Sequence, residues 1–103
     1  MGGEQAVEIA ATSTEYVRIS ASSRVSGSTL NVAVAPKFAF MTGSGNPGTS
    51  DWFNGEWATS WARILVGPAG GTTALAAGEY SVWITWAAGT ETPVYRAGTL
   101  TVY

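Results

Sequence analysis

The residue types that usually carry catalysis or hold metals are thinly represented in this chain. There is no histidine and no cysteine, which removes the commonest general base, the commonest metal ligand, thiolate nucleophiles and disulfides together. Two patterns remain to be weighed. Gly43-Ser-Gly45-Asn-Pro-Gly48 matches the dinucleotide fingerprint G-x-G-x-x-G and follows an apolar stretch. That fingerprint works by setting a pyrophosphate on a helix N-terminus, and Thr49-Ser-Asp-Trp-Phe-Asn-Gly55 opens no amphipathic helix, so it is rejected. Asp51 and Glu56 flank Trp52-Phe53, and two carboxylates beside exposed rings is what a glycosidase cleft needs. No second acidic cluster or cofactor motif accompanies them, and the oxygen-rich spacing of a calcium loop is missing. The sequence therefore predicts no catalytic residue, no cofactor and no metal, and an enzyme ranks last among the readings.

Aromatic side chains carry the stronger signal. Trp52, Phe53, Trp57 and Trp61 fall on a loop and the strand after it. Three readings of them stay open: rings capping the open end of a core, desolvated anchors for a protein partner, or stacking platforms for sugars. Trp83 joins them as a candidate, because alternation along its strand places it on the outward face. The candidate partner interface is thus Trp52, Phe53, Trp57, Trp61 and Trp83.

These residues must be positioned by strands. Tyr80, Val82, Ile84 and Trp86 share one face at period two, with Ser81, Trp83 and Thr85 on the other, the pattern of a half-buried strand. Upstream, Val7 and Ile9, then Val17 and Ile19, alternate with polar residues, giving one long interrupted strand or two short ones. Ser20 to Ser28 is a polar break. Leu30, Val32 and Val34 then share a face, and Pro36 ends the ladder or marks its edge. Phe38 and Phe40 continue an apolar face through Met41. Thr42 to Gly55 reads as a long loop, a length that usually carries function. Glu56 to Val66 returns to strand character, Thr72 to Leu75 is a short strand or an extended link, and Val94 to Tyr103 forms the final strand with Leu100 and Val102 inward. No stretch has helical period over a useful length, so the fold class is an all-β, antiparallel sandwich of about seven strands, with a closed barrel as the competing architecture.

Length and charge set the remaining bounds. At 103 residues, the chain is expected to form a single domain, 1–103, burying roughly 60 to 70% of its unfolded surface. Charged residues make up 12% of the chain, about half the usual share. So neutral a surface is a weak defence against association, so part of it is expected to be covered by partners, a homo-oligomer or symmetric multi-copy assembly among them, with an ordinary, poorly charged monomer as the alternative. The five basic residues, Arg18, Arg24, Lys37, Arg63 and Arg96, form no run, so no nucleic-acid partner is expected. Met1-Gly-Gly-Glu4-Gln lacks the basic lead of a secretory signal, and no apolar run reaches the roughly 18 residues of a spanning helix, so no membrane partner is expected and synthesis in a cytoplasm is.

Two resemblances add to this. Leu75-x-x-Gly78-x-Tyr80 resembles the tyrosine corner of immunoglobulin-like sandwiches, where the Tyr hydroxyl bonds to backbone just upstream. It implies a structural corner built by Leu75, Gly78 and Tyr80; a plain glycine turn before a strand is the alternative. More widely, Leu65-Val-Gly-Pro68, Gly70-Gly71, Leu75 to Thr85 and Glu91 to Val102, with Ser50-Asp51-Trp52 and Glu56-Trp57, resemble small immunoglobulin-like virion proteins of tailed phages infecting actinobacteria. The resemblance implies a non-catalytic structural protein located in the virion, and the first expectation is a capsid-associated decoration, cement or minor capsid protein that binds the major capsid protein. A neck, head–tail connector or tail component is the alternative, and a carbohydrate-binding adhesion module a further one.

Overall fold

The computed structural model describes residues 5–20, 34–43, 45–58, 61–87, 90 and 92–103. Leu30 and Val32, the polar break after Ser20, Ser44 and part of the turn before Val94 lie outside them. Among the described residues there are eight strands: β1 Gln5–Ile9, β2 Glu15–Ser20, β3 Lys37–Met41, β4 Phe53–Asn54, β5 Glu56–Ala58, β6 Trp61–Val66, β7 Gly78–Thr85 and β8 Val94–Val102. They form two sheets, β1-β8-β7-β3-β4 and β2-β6-β5, and the protein is an all-β sandwich.

The two apolar pairs at the start of the chain are separate strands in different sheets. The link Ala10–Thr14 carries the chain across, tied down where the Ala11 N–H donates to the Tyr103 carbonyl and the Tyr103 N–H to the Ile9 carbonyl. β1 departs from the antiparallel expectation, because it lies parallel to β8, with Val7 opposite Leu100 and Ile9 opposite Val102. No tight turn joins these two strands; nearly the whole chain lies between them, so hairpin geometry does not fix their direction.

Inward faces follow period two almost throughout. Val17 and Ile19 of β2, Phe38 of β3, Ala62, Ile64 and Val66 of β6, Val82 and Ile84 of β7, and Leu100 and Val102 of β8 are buried in one core with Ile9 and Trp86. Each Val, Ile, Leu or Phe among them contributes about 1.5–3 kcal/mol by leaving water. Pro36 is buried and immediately precedes β3, so it opens that strand where the sequence suggested an end or an edge. Val34 is exposed.

The stretch read as a loop from Thr42 to Gly55 contains a 3₁₀ turn at Thr49–Asp51 and the short strand β4. At Gly55 the chain leaves one sheet and enters the other. A Cβ there would lie 2.6 Å from the Arg63 carbonyl oxygen and 2.7 Å from the Phe38 ring, so only glycine lets the chain cross this close to the core. Glu56 to Val66 is not one strand but the β5–β6 hairpin, with Trp57 opposite Ala62 and Ala58 opposite Trp61.

β7 opens at Gly78 with φ +151°, a conformation that side chains with a Cβ rarely adopt. Two residues on, the Tyr80 hydroxyl donates to the Ala76 carbonyl at 2.7 Å, while Leu75 and the Tyr80 ring pack against the core.

Candidate functional site

The aromatic candidates do not form one patch. Phe53 lies opposite Phe38 on β4, with its ring 6.5 Å from that of Phe40, and packs on the core. Trp57 also turns inward; its indole N–H donates to the Val34 carbonyl at 2.9 Å. Trp61, four residues on in the hairpin partner, points to the outer face of the three-stranded sheet and is 40% exposed. Trp52 is half-buried directly after the 3₁₀ turn. Trp83 lies on the outer face of the five-stranded sheet. The reason is the pleat: Trp57 and Trp61 sit on paired strands at positions of opposite parity, so proximity in sequence sends them to opposite faces.

The two carboxylates flanking Trp52-Phe53 have local partners. Asp51 Oδ2 accepts the Gly48 N–H at 2.7 Å, which closes the 3₁₀ turn where the glycine fingerprint would need a helix. Glu56 pairs with Arg63 across the hairpin at 2.5 Å. The Arg63 guanidinium also stacks 4.1 Å over the Tyr16 ring, with Arg18 at 5.6 Å. This cluster lies on the outer face of the three-stranded sheet, and its exposed ion pair is worth little by itself. Among the described residues no three His, Cys, Asp or Glu side chains converge on a metal-sized site, and no helix is long and apolar enough to cross a membrane.

Trp83 sits in a more developed setting. It is the middle of a row across three strands, Ala39 of β3, Trp83 of β7 and Arg96 of β8. Ala39 is fully buried although it faces outward. It stands directly opposite Trp83 in the β3–β7 ladder, where a side chain as small as alanine leaves room for an indole beside it. Trp83 Nε1 is shielded from solvent and has no acceptor among the described residues, so the ring meets its surroundings as an apolar surface. Beside it is a groove of about 420 Å³ lined by Thr42, Gly43, Ser81, Trp83 and Arg96. A smaller hollow of about 190 Å³, which shares Thr42, Ser81 and Arg96, extends it toward Glu79, Tyr80 and Thr99. Arg96 Nε points at Ser81 Oγ, 3.4 Å away.

The sequence reading found Trp83 and missed Arg96. Strict alternation back from inward Leu100 and Val102 puts Arg96 inward as well. The register slips by one residue between Val82 and Trp83: Val82 pairs with Gly98 but Trp83 with Arg96, leaving Ala97 as the extra residue of a β-bulge. That one residue moves Val94 and Arg96 to the outer face, beside Trp83. Gly98 next to Ala97 was the available signal, since a glycine within a strand often marks a bulge.

No family model matches this chain, and comparison with curated proteins and with solved structures finds no match either.

Proposed function

We propose that this protein is a non-catalytic structural component of a phage virion, an immunoglobulin-like domain that decorates or cements the shell by binding the major capsid protein in many copies. The strand order supports the immunoglobulin-like part. In the sheet β8-β7-β3-β4 and the sheet β2-β6-β5, the strands fall in the order of G, F, C, C′ and of B, E, D in that fold. Tyr80 then stands near the start of strand F, where a tyrosine corner belongs. The virion part rests on the sequence resemblance. The observation that carries a binding role is the outer face of the five-stranded sheet, where a half-exposed tryptophan and an arginine border a groove that no described strand covers. Aromatic and arginine side chains are the ones enriched at protein interfaces. A surface with few charges favours association of this kind.

The test is the copy number of this chain in gradient-purified particles, set against the major shell protein. Near-equal abundance is the expected result. A handful of copies per particle would overturn the decoration role in favour of a neck, connector or tail position, and absence from particles would overturn the virion reading altogether.

A further inference from the structure

We infer that the outer face of the sheet β2-β6-β5 binds a second copy of this chain, face to face about a two-fold axis that runs along β6. The inference goes beyond the shell-binding reading and uses none of the surface that reading assigns.

Strand register assembles this face. Val17 and Ile19 of β2 and Ala62, Ile64 and Val66 of β6 are buried, and Trp57 of β5 packs on the core, so the alternate residues of each strand point outward. One row of charges crosses the face: Arg18 of β2 lies opposite Arg63 of β6, and Arg63 lies opposite Glu56 of β5. Like charges directly opposite each other are unfavourable within a sheet, and a single anion serves both arginines. Glu56 pairs with Arg63, whose guanidinium also lies 4.1 Å over the Tyr16 ring. Arg18 has the more distant contact with that ring, at 5.6 Å, and no acidic partner among the described residues. The apolar part of the face lies along the middle strand, where Trp61, 40% exposed, and half-buried Leu65 stand on either side of Arg63.

Symmetry then selects the occupant. A two-fold contact uses one patch on both molecules, so the patch must complement itself. An axis along β6, midway between two facing sheets, reverses the charge row from side to side. Arg18 of one copy then faces Glu56 of the other, and Glu56 faces Arg18. Trp61 and Leu65 each meet their own counterpart beside the axis, where two indoles can stack offset. Arg63 also approaches its counterpart, with its charge already offset by Glu56 of its own chain. An axis at right angles to β6 through the same row would set Arg18 on Arg18 and Glu56 on Glu56, which is repulsive. The order of two positive charges and one negative is thus self-complementary about the first axis and not the second. With that axis the facing strands run nearly aligned, as packed sheets commonly do. The patch, three strands wide and six residues long, measures about 14 by 20 Å. That is well below a standard interface, so the dissociation constant is expected on the order of 0.1–1 mM.

The experiment is sedimentation equilibrium of the isolated chain up to about 1 mM, with backbone spectra confirming that each variant is folded. The wild-type chain should reach a monomer–dimer equilibrium. Arg18→Glu and Glu56→Arg should each weaken it at least about 10-fold, because symmetry turns one substitution into two repulsive contacts. The double variant Arg18→Glu with Glu56→Arg restores opposite charges across the axis and should return to within about 3-fold of wild type. Trp61→Ala should abolish dimerisation while leaving the fold intact. A second measurement fixes the axis: the chain has no cysteine of its own, so Leu65→Cys should cross-link two copies through a disulfide when diamide is added as oxidant. Thr99→Cys, on the outer face of the five-stranded sheet, should not. A chain that stays monomeric throughout, a double variant no tighter than the single ones, or cross-linking through Thr99 and not Leu65 would overturn the inference. None of these measurements involves particles, so such a failure leaves the shell-binding reading where it stands.

Discussion

Tyr80→Phe removes one oxygen and nothing else, and its effect can be worked out from the structure. The hydroxyl donates to the Ala76 carbonyl at 2.7 Å across the corner that leads into β7, while the ring rests on the core and would stay there in the phenylalanine variant. Ala76 is exposed, so its carbonyl can turn to water once the hydroxyl is gone, and no buried acceptor is stranded. The loss is then the net value of one intramolecular hydrogen bond, about 1 kcal/mol. Equilibrium unfolding in urea, followed by tryptophan fluorescence, reads it directly. With a slope of about 1–2 kcal/mol per molar for a domain of this size, the midpoint should fall by about 0.5–1 M with the slope unchanged. The melting temperature should fall by about 4–8 °C. An unchanged midpoint would refute the reasoning, since it would mean that the Tyr80–Ala76 bond does not hold the corner. A changed slope would mean that the variant had altered the unfolded ensemble or broken two-state behaviour, and the comparison would no longer isolate the bond.

Other substitutions probe the remaining claims. Gly55→Ala should destabilise the fold by more than about 2 kcal/mol, because its Cβ meets a carbonyl oxygen and the Phe38 ring at 2.6 and 2.7 Å; calorimetry showing a wild-type melting temperature would refute the crowding. Trp57→Ala should lower stability by about 3 kcal/mol through lost core contact and the lost bond to the Val34 carbonyl. Trp61→Ala, on the outer face at 40% exposure, should cost far less, and equal losses in urea would contradict the assignment of the two rings to opposite faces. Glu56→Gln should change stability by less than about 1 kcal/mol, because the Arg63 and Glu56 side chains are 29% and 50% exposed; a larger loss in the same assay would show that the Tyr16–Arg63–Glu56 cluster acts as a unit.

Much of the architecture can be read from local pattern. A strand buried on one face writes period two into its sequence, so the inward set of β7, Val82, Ile84 and Trp86, and that of β8, Leu100 and Val102, are legible without coordinates. Glycine and proline mark where strands break. Two things escaped this reading. Pro36 was ambiguous because proline can either precede a strand or close one; here it is buried just before β3. The region from Phe53 to Val66 reads in sequence as a loop and one strand because β4 and β5 are two and three residues long. Segments that short hold no full period, so the sheet switch at Gly55 left no pattern to read.

The candidate site divides in the same way. Composition alone, with no histidine or cysteine and few charges, determined what chemistry the chain is poorly equipped for, and alternation alone placed Trp83 outward. Alternation is a property of one strand, fixed by its own backbone geometry. Which rings share a surface is a property of strand pairing, and only the tertiary structure decided it: Trp57 inside, Trp61 on one outer face and Trp83 on the other. The neighbour of Trp83 depended on it most. One extra residue at Ala97 shifts the register, and a register shift of one moves every residue beyond it to the opposite face. Arg96 faces the groove for that reason; Gly98 hints at a bulge, but alternation along the strand does not record it.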